Sequence, residues 1–242
     1  MSEIVIDVKD LVITYKTVQR ASLFGFLHPK RKKKESLFTA VKGVSFSIEE
    51  GQIVGIVGKN GSGKSTMLRS IAGVFSPNSG SIDIHGRSIS LLSIGVGFER
   101  TLSGRENIYL SGLLLGFTKE QIQEHEESII AFSELGDFID KPVSTYSSGM
   151  YSKLAFSITA ILETDIMLID EVLSVGDVKF KKKSYDKMKE LIQNDKRTVL
   201  IVSHSSETIR SLCSKVLWLH EGELRMFGDT AEVLKEYEAF MK

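Results

Sequence analysis

The chain has 242 residues, enough to bury a sizeable core as one large α/β domain or two small ones. Its 31 basic and 31 acidic side chains cancel, so no global field argues for nucleic acid, and the single cysteine, Cys213, excludes an internal disulfide and suits a reducing compartment. No apolar run approaches the roughly 20 residues of a membrane-spanning helix, and MSEIVIDVKD carries acids where a signal peptide has a basic region and an apolar core. The expectation is a cytoplasmic protein that would depend on a partner for any membrane-embedded part.

In chain order, IVIDVKDLVITY and VKGVSFSIEEGQIVGIVG alternate or run apolar and β-branched, and predict strands. Between them an insertion, about residues 17–38, fits neither template. It holds an apolar patch (Leu23, Phe24, Phe26, Leu27) and then a basic run from Lys30 to Lys34. A glycine-rich loop at 58–63 leads into a helix, STMLRSIAGVF, that ends near Gly73, and GSIDIHGRSISLL returns to short strands around Gly86. RENIYLSGLLLGF, TKEQIQEHEESIIAFSEL and TYSSGMYSKLAFSITAILE are helical and predict a helical subdomain over about 105–163. In the last of these, Leu154, Ile158, Ile161 and Leu162 form one apolar stripe, and Ser147 or Ser148 is placed to cap the first turn. DIMLID and RTVLIVSHS are short, continuously apolar runs of the kind found in buried parallel strands. KVLWLHEGELRMFG predicts a hairpin turning near Gly222, and DTAEVLKEYEAFM a final capped helix. The alternation predicts an α/β fold, read as one continuous domain over 1–242 without repeat, linker or low-complexity tract.

The strongest chemical signal is GKNGSGKST. Gly58, Lys59, Asn60, Gly61, Ser62, Gly63, Lys64, Ser65 and Thr66 match the phosphate-binding loop pattern, with a strand before and a helix after. Glycines there let backbone N–H groups turn inward around phosphates. Lys64 adds a point charge at the β/γ end, and the Ser65 hydroxyl can ligate Mg²⁺. IMLIDE ends an apolar strand in two carboxylates. Asp170 is placed to hold Mg²⁺, and Glu171 to orient and polarise an attacking water. His204 follows another buried-strand run, where ligands of parallel sheets gather.

With these pieces in this order, the sequence resembles the ATP-binding cassette (ABC) ATPases over essentially its whole length. The resemblance implies a P-loop NTPase core with an antiparallel β subdomain and an α-helical subdomain, hydrolysing ATP with Mg²⁺. It also implies a head-to-tail homodimer with two nucleotides between the subunits. YSSGM stands in the signature motif, usually LSGGQ, so Ser147, Ser148 and Gly149 would meet the partner's γ-phosphate. SVGD, ending at Asp177, stands in the D-loop, and His204 in the switch position. Ser148 replaces a glycine and Met150 a glutamine; the Q-loop stretch GVGFERTLSGRENI offers Glu99 or a neighbour as the residue near Mg²⁺. The adenine-stacking aromatic after the first strand points to Tyr15, with Phe38 before the second strand as the alternative.

YSSGM, LSGRENIYLSG, FSELGDFIDKPV and DEVLSVGD together look like the polysaccharide-export branch, and GDTAEVLKEYEAFMK like its teichoic acid ATPases especially. That implies an ATPase subunit driving export of a lipid-linked cell-surface polymer, wall teichoic acid first and O-antigen or capsular polysaccharide as the alternative. It would sit at the cytoplasmic face of the cell membrane, bound to two integral permease subunits, and would carry no C-terminal carbohydrate-binding domain and bind no nucleic acid. A soluble ABC ATPase of translation or DNA repair is the remote alternative; one cassette without a heptad array argues against it. The insertion is expected at the membrane face, its lysines meeting anionic head groups or lipid-linked phosphate and its apolar patch meeting partner helices.

Overall fold

Two long strands open the chain: β1 (Ile4–Val18) and β2 (Glu35–Glu49) pair antiparallel from Ile4↔Glu49 to Val18↔Glu35. The structure is a computed structural model that describes residues 3–18, 35–92, 97–170, 177–192 and 197–241. The insertion, expected to fit neither helix nor strand, is strand at both ends. Lys16, Thr17 and Val18 oppose Leu37, Ser36 and Glu35, because ladder hydrogen bonds form between backbones whether or not the side chains alternate in polarity. Its apolar patch and basic run lie outside the described residues.

β3 (Ile53–Val57) follows and runs into α1 (Lys64–Ile71) through the glycine-rich loop. β4 (Ser79–Asp83) completes a three-stranded antiparallel sheet in the order β2-β1-β4. After β5 (Ile89–Leu92) come α2 (Gly104–Leu114) and α3 (Lys119–Ser133). Both start with a reciprocal capping box, Ser103 with Glu106 and Thr118 with Gln121, which fixes where the helical region begins. α4 (Ser148–Ile161) is capped by Ser147, whose hydroxyl accepts the Met150 N–H at 3.2 Å; of the two candidate serines it is the first that caps.

β6 (Ile166–Asp170), α5 (Val178–Ile192), β7 (Thr198–Val202), α6 (Ser206–Leu212), the hairpin β8 (Lys215–His220) and β9 (Glu223–Asp229), and α7 (Thr230–Met241) complete the alternation. The second sheet runs β5-β6-β7-β3-β8-β9, parallel except for the β8–β9 pair. Thr230, at the first position of α7, donates its hydroxyl to the Cys213 carbonyl at 2.7 Å, so it ties the helix to α6 rather than capping its own turn.

Three apolar clusters hold these layers. One packs Ile6, Leu11 and Val44 of the small sheet against Met67 and Leu68 of α1 and against Val54, Leu168 and Leu200 of the large sheet. The opposite face of the large sheet packs Met167, Ile169 and Val199 on Phe156 of α4, Phe180 and Met188 of α5 and Ile209 of α6. Leu168 faces one layer while Met167 and Ile169 face the other, which is why DIMLID is apolar throughout instead of alternating. The third cluster joins Ile108, Ile122 and Ile129 to Leu154, Ile158 and Leu162, three of the four predicted stripe residues, with Ile161 packed at its edge.

Candidate nucleotide site

The carboxyl ends of β3, β6 and β7 lie side by side in the large sheet. They deliver the Gly58–Lys64 loop, Asp170 and His204 to one edge, the position where open α/β sheets hold ligands. A cleft of about 350 Å³ there is lined by Asn60, Gly61, Ser62, Gly63, Lys64, Ser65, Thr66 and His204, with Tyr15, Phe38 and Ala40 from the small sheet. Two glycines of the loop have no substitute. Gly63 sits at φ +99°, and a Cβ on it would lie 2.3 Å from the Ala40 carbonyl oxygen; at Gly58 a Cβ would lie 2.2 Å from that of Leu219.

The Lys64 ammonium donates to the carbonyls of Gly58 (2.8 Å) and Lys59 (3.0 Å), which anchors it within the loop. Ser65 donates its hydroxyl to Asp170 Oδ1 at 2.8 Å, and Arg69 stands 3.8 Å from the other carboxylate oxygen. A hydroxyl and a carboxylate in contact form the oxygen donor set that suits Mg²⁺. Ser62 Oγ is buried with no hydrogen-bond partner among the described residues, an orphaned group that a phosphate oxygen would satisfy.

Tyr15 and Phe38 are direct partners in the β1–β2 register, and both line the cleft, so the two alternatives for the adenine contact are neighbours on one surface. Gly58 and Lys59 contribute their carbonyls to Lys64 rather than lining the cleft. Glu171 lies outside the described residues. The Glu99 carboxylate accepts the Thr101 N–H at 3.1 Å and its hydroxyl at 2.9 Å, which holds it below the usual carboxylate range. Glu99 is not among the described residues lining the cleft. Its backbone is gripped at both ends by Asn107, fully buried, which accepts the Glu99 N–H at 2.8 Å and donates to the Glu99 carbonyl at 3.0 Å. Asn107 was visible in LSGRENIYLSG only as part of a motif; a buried asparagine in a helix's first turn is the signal for such a clamp.

A second cleft, also about 350 Å³, is formed by Ser147, Gly149 and Met150 at the start of α4 with Asp177, Lys153, Glu134, Leu135 and Phe138. Ser148 is exposed beside it and accepts the Ser152 hydroxyl at its carbonyl. Lys153 bridges to Asp177 at 2.7 Å and stands 4.0 Å from Glu134, which also meets Lys183 at 3.0 Å. The Lys153 ammonium, with the Phe180 backbone N–H, pulls the Asp177 carboxyl down to about 2. Neither Lys153 nor Glu134 was expected at the site, because each is one charge among many in its stretch of sequence. The two clefts share no residue.

Among known proteins, the family model described as ABC transporter matches residues 41–174, more than half of the chain. The chain belongs to the ABC transporter family. An O-antigen export system ATP-binding protein from Myxococcus xanthus is 45% identical over 222 residues, 91% of this chain and 51% of the relative. A teichoic acids export ATP-binding protein from Bacillus anthracis is 48% identical over 212 residues, 88% of this chain and 38% of the relative. An O-antigen export system ATP-binding protein from Klebsiella pneumoniae is 42% identical, and 88% of each chain is covered. The ABC chain thus spans about half or less of the first two relatives and most of the third.

Solved ABC cassettes show the same fold. A dimeric ATP-binding cassette in a post-hydrolysis state, bound to ADP and Pi, aligns with a TM-score of 0.70 at 22% identity, over 93% of this chain and 98% of its own. An ATP-binding subunit of an ABC transporter aligns at 0.73 and 19%, over 97% and 93%. The expected fold class, a P-loop core of the ABC type with an antiparallel sheet and a helical region, is the one observed.

Proposed function

We propose that this ABC family member is the ATP-hydrolysing subunit of an exporter that moves a lipid-linked cell-surface polymer across the cytoplasmic membrane. Wall teichoic acid is the first reading and O-antigen or capsular polysaccharide the second. The relatives support both, since the Bacillus anthracis and Enterococcus faecalis teichoic acid proteins are 48% and 47% identical and the two O-antigen proteins cited above 45% and 42%.

The observation that carries the ATPase reading is the separation of the two clefts. The loop cleft offers Lys64, the Ser62 hydroxyl and inward N–H groups to the phosphates of ATP, and Tyr15 or Phe38 to its base. The second cleft presents Gly149 and the first turn of α4, a helix end with partial positive charge. Two copies in head-to-tail contact would supply one another's missing half, with Ser147, Ser148 and Gly149 closing on the partner's γ-phosphate and Asp177 beside them. Ser65 and Asp170 would hold Mg²⁺, which when bound neutralises charge on the β- and γ-phosphates. Glu171, assigned from the sequence, polarises the attacking water, and His204 faces the same cleft as Lys64.

Among the described residues no helix is long and apolar enough to cross a membrane. In this reading two integral permease subunits supply the membrane path, handle the lipid-linked polymer and hold the ATPase dimer at the cytoplasmic face. The whole chain, 1–242, acts as one nucleotide-binding unit.

The test is Glu171→Gln. It should leave ATP binding nearly intact, slow hydrolysis strongly and trap a dimer, read by light scattering with saturating ATP and Mg²⁺. A monomer under those conditions would overturn the two-copy site. The polymer is decided separately by complementation: rescue of a strain lacking its teichoic acid export ATPase, and no rescue of one lacking its O-antigen ATPase, supports the first reading, and the reverse supports the second.

A further inference from the structure

The last turn of α7 packs against the phosphate-binding loop from behind. Phe240 is the hub. The Lys59 ammonium lies 5.3 Å from its ring centroid, the Arg225 guanidinium 5.7 Å, and the rings of His220 and Trp218 4.9 and 5.3 Å. One turn earlier, Tyr237 stacks edge-on against Trp218 at 5.7 Å, and its hydroxyl oxygen accepts from the Gly58 backbone N–H. Within the loop, α7 meets Gly58 and Lys59, the two residues whose carbonyls receive the Lys64 ammonium. Lys59 itself is turned back over an aromatic ring, so its charge is spent on position instead of on the cleft.

We propose that Phe240 and Tyr237 are positioning residues for Lys64, holding the Gly58–Lys59 segment whose carbonyls aim its ammonium at the β- and γ-phosphates. The proposal rests on the nucleotide-site reading above and adds that affinity for the phosphate end of ATP is set partly from the far side of the loop. Loss of an exposed cation–ring contact should weaken binding of ATP and of ADP by roughly 2- to 5-fold. AMP, which has nothing for Lys64 to reach, should bind unchanged. That contrast separates positioning from a general loss of structure.

The experiment is calorimetric titration of ATP, ADP and AMP into the full chain carrying Phe240→Leu, Phe240→Tyr, Lys59→Met, the Phe240→Leu/Lys59→Met pair, Tyr237→Phe or Lys64→Ala, with Tm measured for each. Phe240→Leu and Lys59→Met should weaken ATP alike, the pair should cost little more than either alone, and Phe240→Tyr should restore wild-type affinity. Tyr237→Phe, which removes only a hydroxyl, should weaken ATP as well and decides the matter should Phe240→Leu lower Tm. Unchanged ATP affinity in Phe240→Leu and Tyr237→Phe, an equal loss for AMP, or strict additivity of the pair overturns the proposal. If Lys64→Ala leaves ATP binding unchanged, the nucleotide-site reading itself fails; if only Lys64→Ala weakens it, the positioning role alone fails.

Discussion

Tyr15 and Phe38 face one another across two strands and open on the same cleft, each partly exposed, with the Tyr15 ring edge-on to Phe75 at 6.2 Å. Stacking a base on one ring is worth about 1–3 kcal/mol. Replacing the stacking ring by alanine should therefore raise the Kd for ATP roughly 5- to 150-fold, with a smaller effect for the other, and the comparison of Tyr15→Ala with Phe38→Ala tests which carries the base. Asp177 gives a pH prediction. Its carboxyl is held at about 2, below the ordinary 3.8, chiefly by Lys153. A depressed carboxyl contributes stability above its ordinary value and loses it as pH falls through the lowered one, so the Lys153–Asp177 tie should be intact at pH 4 and half lost at about pH 2. Lys153→Met should raise the Asp177 carboxyl toward the ordinary range, with the Phe180 N–H keeping part of the depression, read by NMR titration. At this scale the sequence spoke clearly through Gly58–Thr66, where strand, glycine spacing and helix agree. It was silent on Lys153, Glu134 and Phe240, whose partners lie 15 to 181 positions away in the chain.

At the scale of elements, the helical region is bound at its start by Ser103 and within by charge. Arg105 joins Glu126 of α3 to Asp140, which holds the guanidinium pKa up, and Tyr109 donates its hydroxyl to the same Glu126. Ser103→Ala removes one half of a capping box and should cost about 1 kcal/mol, read as a lowered midpoint in urea. A larger effect is expected at Gly112, where a Cβ would stand 2.6 Å from Ile122 side-chain carbons. Gly112→Ala should cost about 1–3 kcal/mol by overpacking α2 against α3. Strands and helices were legible where their periodicity was clean, as in DIMLID and the α4 stripe. KFKKKSYDKMK hid a helix, because lysines surround Phe180, Ser184 and Met188, three of its five buried positions, at helical spacing. The ends of the insertion hid strands, because nothing in KTV or ESL reveals that each is the other's partner.

For the whole molecule, the large sheet carries an apolar layer on each face, and Cys213 reports on one of them. It follows α6 and is buried in the cluster that packs α6 on the large sheet, and burial pushes its thiol up to about 12. A thiol reagent at pH 8 should find it inert in the folded protein and reactive at the rate of global unfolding, so thiol labelling gives a direct measure of how ATP stabilises the fold. The α/β class could be anticipated, since continuous apolar runs alternate with helical stretches. The division of Leu168 from Met167 and Ile169 between two cores could not, as it depends on what covers each face.

The β1–β2 ribbon has one more consequence. Tyr15 and Phe38 stand three pairs from Val18↔Glu35, where the chain leaves toward its apolar and basic segment and returns. At about 3.3 Å per residue, that is roughly 10 Å of rigid ladder. A body that grasps segment 19–34 therefore holds one end of a stiff arm whose other end is the wall of the nucleotide cleft. A pull there would be transmitted as a tilt of the aromatic wall that Tyr15 and Phe38 give the cleft, and anything seated against that wall would push back along the same arm.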